Sequence, residues 1–167
     1  MDQQKQDRIY QRIGEIVVGF QWIENLLEQI LWTLRDPGWK GDPRVHTADL
    51  WFKNLADAVE AEFIAFLQRR KPTDAAGWGQ HFPSTVAKCR EIAERRNRIV
   101  HATYIEVKIG DEIAGILLSD MSRDKSTNEI KLDQETLSES SFDELMRDIA
   151  ETGVQLGFTH KQLLHWT

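Results

Sequence analysis

The chain is poor in cysteine and has no long apolar run. Its 167 residues include one cysteine, Cys89, so no disulfide can form within the chain. No stretch approaches the roughly 18 uninterrupted apolar residues that indicate a membrane span, and residues 1–7 are too polar for the core of a signal peptide. Because the length also suits one domain, we expect a single cytoplasmic domain over residues 1–167, without membrane attachment.

Net positive charge and metal-binding spacing are missing as well. The formal net charge is −6, which argues against generic binding to nucleic acid through a basic face. The five histidines are scattered without a zinc-binding spacing, and there is no glycine-rich phosphate loop, so we predict no metal and no cofactor. Residues 84–101, which we call the positive island, run against the overall charge with five cations and two acids.

The first predicted element is a long helix from about Asp7 to Leu34. Its apolar positions alternate steps of four and three, as in a helix seam: Ile9, Ile13, Ile16, Phe20, Ile23, Leu27, Ile30 and Leu34. Proline and glycine after Asp36 end the helix, and Gly38 is expected to take the positive φ of a C-terminal cap. A helix of nearly 30 residues is longer than a compact bundle, so we expect it to contact a partner, most economically a second copy in a symmetric dimer.

Two further helices are predicted in the next part of the chain. The second opens near Thr47, with Thr47 or Asp49 as its N-cap, and ends in a basic run that suits the helix dipole. Residues 73–83 contain two glycines and are expected to form a loop. Ser84 is then expected to cap a third helix that runs to about His101.

After the third helix the apolar pattern becomes alternating and β-branched, which predicts strands. The expected strands lie at residues 103–109, 113–118 and 129–132. They make up a β-rich insertion at about 103–133. A last helix opens near Ser140, where Ser141 and Glu144 have capping-box spacing. The predicted fold is therefore mainly α: a bundle of about four main helices with a small β-hairpin insertion before the last one.

Arg96 interrupts the apolar face of the third helix. At about 100° per residue the apolar side chains share one arc of roughly 140°, with Arg96 near its middle. The arc contains Val86, Cys89, Ile92, Ala93, Ile99 and Val100. A charge there is costly unless it is paired. Either a carboxylate from Glu24, Asp57 or Glu60 pairs with it, or the guanidinium lines a cleft and binds an anion such as a phosphate.

Asn97 and His101 extend the chemistry of this helix end. A histidine titrates near neutral pH and can give or take a proton, and an amide can hold a neighbouring group in place. Together with Arg96 they form a set that could bind a phosphodiester, stabilise its developing charge and move a proton.

The segment Arg96-Asn97-x-x-x-His101 resembles the R-x(4–6)-H motif of the HEPN superfamily, including the polar residue directly after the arginine. The small residue Ala102 after the histidine is also common there. HEPN domains are helical bundles with this motif at the end of the third main helix, where the helix order of this chain places it. The resemblance covers roughly residues 7–104 and 142–167.

The resemblance implies a metal-independent endoribonuclease that cleaves single-stranded RNA at a composite site in a homodimer. Arg96 would stabilise the scissile phosphate, His101 would transfer protons or activate the 2′-OH, and Asn97 would orient one or both. The expected partners are a second copy, RNA, and an antitoxin or regulatory protein in a defence- or toxin-related role. The alternative is a non-catalytic HEPN-like helical module that binds a protein partner or a nucleotide, with Arg96 in an ion pair with, for example, Glu24.

Overall fold

The computed structural model describes residues 3–42, 44–47, 50–110, 112–123 and 128–167, and of residues 44, 46, 112, 113, 122 and 123 only the backbone. The described chain is mainly helical with a small antiparallel sheet before the last helix, as predicted. The helices are α1 (Gln3–Arg35), α2 (Arg44–Thr47), α3 (Phe52–Arg70), α4 (Ala75–His101), a 3-10 helix (Glu139–Phe142) and α5 (Asp143–Trp166). The strands are β1 (Thr103–Ile109), β2 (Glu112–Arg123) and β3 (Ile130–Leu137).

The chain forms two compact units, each with its own buried side chains. Unit 1 comprises Met1–Val18 and Glu94–Arg147, and unit 2 comprises Gly19–Ala93 and Asp148–Thr167. Within the described ranges, every helix is either too short or too polar to cross a membrane. The expectation of a single domain stays a prediction.

The apolar seam of α1 is buried as its spacing predicts. Every seam residue is buried except Ile13, which is half-buried. The end of the helix differs from the prediction in one respect: Trp39, with φ of 51°, takes the positive φ instead of Gly38. The Trp39 ring lies 4.1 Å from the ring of Trp32, and this packing holds a non-glycine residue in the left-handed region.

The predicted start of the second helix is wrong. Thr47 ends the short helix α2, Asp49 lies outside the described residues, and α3 begins only at Phe52 after an N-cap, Trp51, that makes no side-chain hydrogen bond. The ring of Phe52 packs 4.9 Å from that of Phe20, so a tertiary contact, and not a capping oxygen, accompanies the start of this helix.

The predicted start of the third helix is also wrong, because residues 73–83 are not a loop. Helix α4 begins at Ala75 and continues through Pro83, so Ser84 is not its N-cap. Two aromatic residues of this early part pack within unit 2: the Phe82 ring lies 4.1 Å from that of Phe63, and the Trp78 ring meets that of Trp166 at 5.5 Å. The free energy gained by burying these rings offsets the cost of the helical hydrogen bond that Pro83 cannot make.

The sheet has the strand order β1-β2-β3, with both neighbouring pairs antiparallel. It extends to Leu137, further than the predicted insertion at about 103–133. One face contributes Ile116, Leu118 and Leu137 to the core of unit 1. The sheet is joined to α5 by the 3-10 helix, where the Ser138 backbone N–H donates to the Ser141 Oγ at 2.9 Å. The capping box thus pairs Ser141 with Ser138, not with Glu144 as predicted.

Candidate functional site

The last turns of α4 carry the three predicted site residues, all within unit 1. Arg96 is half-buried, whereas Asn97 and His101 are exposed, and His101 is the last residue of the helix. Helical hydrogen bonding continues past it, since the Ala102 N–H donates to the Arg98 carbonyl at 3.1 Å. The α-helical hydrogen bonding is therefore regular as far as His101. On a regular helix, side chains five residues apart point about 140° away from each other.

Asn97 contacts Arg96 directly. The Nη1 of Arg96 donates to the Oδ1 of Asn97 at 2.9 Å, and the Nε of Arg96 is shielded from solvent. A hydrogen bond from a cation to an amide oxygen restricts a side chain that otherwise has many rotamers. The sequence predicts that Asn97 orients a neighbouring group, and the hydrogen bond to Arg96 is a contact suited to that role.

Two of the three carboxylates considered as partners for Arg96 contact a different arginine. Asp57 and Glu60 of α3 each accept a hydrogen bond from Nη2 of Arg90, at 2.7 Å, within unit 2. Glu24 belongs to unit 2 and Arg96 to unit 1, so a Glu24–Arg96 pair stays a prediction.

The other cations of the positive island form ion pairs within their own units. The pairs are Lys88 with Glu91 and Asp148, Arg90 with Asp57 and Glu60, Arg95 with Glu144, and Arg98 with Asp120, Asp133 and Glu135. Most of these groups are partly exposed, so each pair contributes little stability, but each lowers the local positive potential. The predicted island is therefore not a free basic surface.

Burial along α4 follows the predicted arc as far as Ile99, which lies inside the motif, and ends at Val100. Val86, Cys89 and Ile92 are fully buried, and burial raises the pKa of the Cys89 thiol to about 12, as expected for an unreactive core cysteine. Val100, predicted on the same arc, is 36% exposed. The surroundings of the motif are thus open to solvent on this side.

Tyr104 on β1 is a residue of this site that sequence reasoning left without a role. Its hydroxyl donates to the backbone carbonyl of Ile99 at 2.6 Å, and so satisfies one of the carbonyls that a helix leaves free in its last turn. Burial, with a smaller effect of Tyr10, raises the pKa of Tyr104 to about 12, so the phenol stays protonated and able to donate. The end of α4 is thereby fixed immediately before His101.

A pocket of about 240 Å³ in unit 1 lies beside the motif helix. Its charged lining comes from Arg95, Arg98, Glu135 and Glu144, and none of the three motif residues lines it. In a single copy the motif residues therefore lie outside this pocket.

His160, outside the motif, packs against other side chains of unit 2. His160 lies with its Nε2 at 3.1 Å from the Thr33 Oγ1, and its ring stacks against that of Trp39. Burial lowers the pKa of His160. Among the residues that the structure describes, no three histidine, cysteine or acidic side chains are grouped so as to hold a metal ion.

Comparison with protein-family models, curated proteins and solved structures gave no match to this chain. Its function is therefore inferred from its own residues.

Proposed function

We propose that the chain is a metal-independent HEPN-type endoribonuclease that cleaves single-stranded RNA at a composite site formed by two copies, in a defence- or toxin-related role. The observation that carries the proposal is the geometry of the helix end. Arg96 and His101 lie on one regular helix, about 140° apart, so they diverge within one copy. Two copies related by a twofold axis can bring Arg96 of one and His101 of the other to the same phosphate.

The proposed reaction is attack of a ribose 2′-OH on the adjacent phosphorus. The exposed imidazole of His101 takes the 2′-OH proton or protonates the leaving 5′-oxygen. The O2′–P bond forms as the P–O5′ bond breaks, which leaves a 2′,3′-cyclic phosphate and a 5′-OH. Arg96, oriented by its hydrogen bond to Asn97, stabilises the charge that develops on the phosphate oxygens. DNA has no 2′-OH and is not cleaved.

The test is cleavage of a labelled single-stranded RNA by purified protein in EDTA. We expect cleavage in wild type and a loss of about 100-fold or more in Arg96→Ala and in His101→Ala, since removal of one electrostatic or proton-transfer group typically has that effect. The matched controls are Arg95→Ala, at the neighbouring arginine, and His165→Ala, at an exposed histidine of α5.

A second substrate sharpens the assay. An RNA with a single 2′-deoxy nucleotide at the cleaved position should be resistant in the wild type, and the product of the normal RNA should carry a cyclic phosphate. Cleavage that disappears in EDTA, or that survives in both motif variants, would rule out this mechanism.

A non-catalytic HEPN-like module that binds a protein partner or a nucleotide is the second candidate. The half-burial of Arg96, with its Nε shielded from solvent, favours a structural role for this side chain. In that case Arg96→Ala would lower the melting temperature by several degrees, while His101→Ala would not, and RNA would stay intact at every protein concentration.

A further inference from the structure

Helix α3 ends in three consecutive cations that are open to solvent, which we call the basic run. Arg69 and Arg70 lie in its last turn, and Lys71, with φ of 48°, is its C-cap. All three are exposed, and among the residues that the structure describes none of them forms a side-chain hydrogen bond or an ion pair. The nearest acid along the chain is Asp74. Unlike the paired cations of the positive island, the basic run keeps its charge available to an anion.

A cavity of about 310 Å³, which we call the aromatic cleft, lies between the early part of α4 and helix α5, within unit 2. Its accessible rings are Trp78, His81 and Phe158, and Phe158 is 64% exposed. Among the described residues that line the cleft, none is an acid, a lysine or an arginine. The volume is near the lower end of the roughly 300–1,000 Å³ of small-ligand sites. The cleft therefore suits a small, planar, uncharged group that stacks on aromatic rings.

Neutral hydrogen-bonding groups complete the lining of the aromatic cleft. The Thr85 hydroxyl donates to the Oε1 of Gln155 at 3.3 Å, which uses the oxygen of that amide. The Nε2 of Gln155 has no hydrogen-bond partner among the described residues, and the hydroxyl of the exposed Ser84 also lines the cleft. Amide and hydroxyl donors match the carbonyl oxygens and ring nitrogens at the edge of a nucleobase. A nucleobase is thus an uncharged planar group that this lining can both stack on and hydrogen-bond.

Ring contacts place the aromatic cleft and the basic run at the same end of unit 2. Helices α4 and α5 run antiparallel here, because Thr85 contacts Gln155 whereas Trp78 contacts Trp166, with ring centroids 5.5 Å apart. The Trp166 ring also stacks on that of Phe66 at 6.3 Å. Phe66 lies about one turn before the basic run on α3. The Trp78 end of the cleft is therefore the end next to the cations.

We propose that the basic run and the aromatic cleft together bind single-stranded nucleic acid, with backbone phosphates on the basic run and a base in the cleft. Cations that follow the backbone, next to rings on which bases stack, are the usual means of binding single strands without sequence preference. A double helix keeps its bases paired and stacked, so it cannot fill the cleft. Neither contact requires a 2′-OH, so DNA and RNA both bind. The proposal goes beyond RNA cleavage, since its residues are distinct from Arg96, Asn97 and His101.

Fluorescence anisotropy with a labelled single-stranded DNA of about ten nucleotides tests the phosphate contacts. For three contacts the logarithm of the association constant should fall with the logarithm of salt concentration with a slope of about −2, and Lys71→Gln should reduce the slope by about 0.7. The matched control is Lys53→Gln, at an exposed lysine of the opposite end of α3. No binding by the wild type, or the same slope in both variants, would overturn the proposal.

Substitution of Phe158 tests the base contact in the same assay. Phe158→Ala should weaken binding about tenfold and leave the salt slope unchanged, because stacking of a base releases no counterions. Phe158→Trp should restore the affinity, since it restores a ring. The control is Leu164→Ala, at an exposed residue about 120° away around α5. Wild-type affinity in Phe158→Ala, with an unchanged melting temperature, would contradict binding of a base in the cleft.

Competitors separate a single strand from other anions. Duplex DNA of the same sequence and polyglutamate should both displace the labelled strand at least tenfold less well than the unlabelled single strand does. Equal competition by polyglutamate would mean a general anion surface, and equal competition by the duplex would mean that no base enters the cleft; either result overturns the proposal. Single-stranded DNA has no 2′-OH to be cleaved, so this binding and the RNA cleavage lost in His101→Ala succeed or fail separately.

Discussion

Gly153 of α5 offers a sharp test of the packing in unit 2. A methyl group built at this position would overlap the ring of Trp22, at Cε3, Cζ3 and Cη2. Gly157, one turn later on the same helix, has nothing within 4 Å of such a methyl group. Both glycines lie in the interior of α5, so they share the same intrinsic cost in a helix.

The two alanine substitutions should change stability in opposite directions. Replacing a helical glycine by alanine gains about 1 kcal/mol of helix propensity. At Gly157 that gain is expected in full. At Gly153 the methyl group must displace the Trp22 ring, and overpacking of this kind costs about 1 to 3 kcal/mol. The net result for Gly153→Ala is a loss of about 1 kcal/mol of unfolding free energy.

A double-mutant cycle isolates the cause. In a Trp22→Ala background the obstruction is gone, so Gly153→Ala should become stabilising by about 1 kcal/mol, like Gly157→Ala in the wild type. Thermal and urea unfolding provide the measurements, with a shift of about 2 to 4 °C in Tm per kcal/mol for a chain of this size. If Gly153→Ala stabilises the wild type as much as Gly157→Ala does, the Trp22 ring does not cover Gly153 and the reasoning is wrong.

Two further predictions concern His160 and Tyr104. Burial lowers the pKa of His160 in the folded chain, so the unfolded chain binds more protons as the pH falls below about 6.5, and the free energy of unfolding should decrease. Urea unfolding between pH 7.5 and 5 should show a smaller decrease in His160→Gln than in the wild type. The same pH dependence in both proteins would contradict the burial of the ring. Tyr104→Phe removes the hydrogen bond to the Ile99 carbonyl, which should lower the free energy of unfolding by about 1 kcal/mol and speed amide exchange at Ala102 and Thr103. The control is Tyr10→Phe, at an exposed tyrosine. Equal effects of the two variants would count against the contact at the end of α4.

Much of the fold is encoded in short-range periodicity. The steps of three and four in α1 predict its buried seam, because this spacing places every apolar residue on the same side of the helix. The prediction does not depend on which element packs against that side. The change to alternation after His101 likewise predicts strands, since a pleated strand has a period of two. The motif also comes from local sequence: Arg96, Asn97 and His101 fall at the end of a helix, where the periodicity ends.

The starts of α3 and α4 depend on contacts that local rules do not contain. Pro83 and two glycines predict a loop by their own preferences, but Phe82 and Trp78 bury enough aromatic surface to keep the segment helical. In the same way Thr47 is a good capping residue, yet α3 begins where Phe52 packs against Phe20. In these cases tertiary burial outweighs a local preference of a few kcal/mol at most.

The sequence alone therefore determined the helical class, the alternating insertion and the place of the motif, because these follow from the spacing of neighbouring residues. Only the tertiary structure decided the electrostatics and surfaces around them. It paired Lys88, Arg90, Arg95 and Arg98 with acids, placed the Tyr104 hydroxyl on the Ile99 carbonyl, and buried Ile116, Leu118 and Leu137 on one face of the sheet. Such contacts join residues up to tens of positions apart, so no local pattern specifies them.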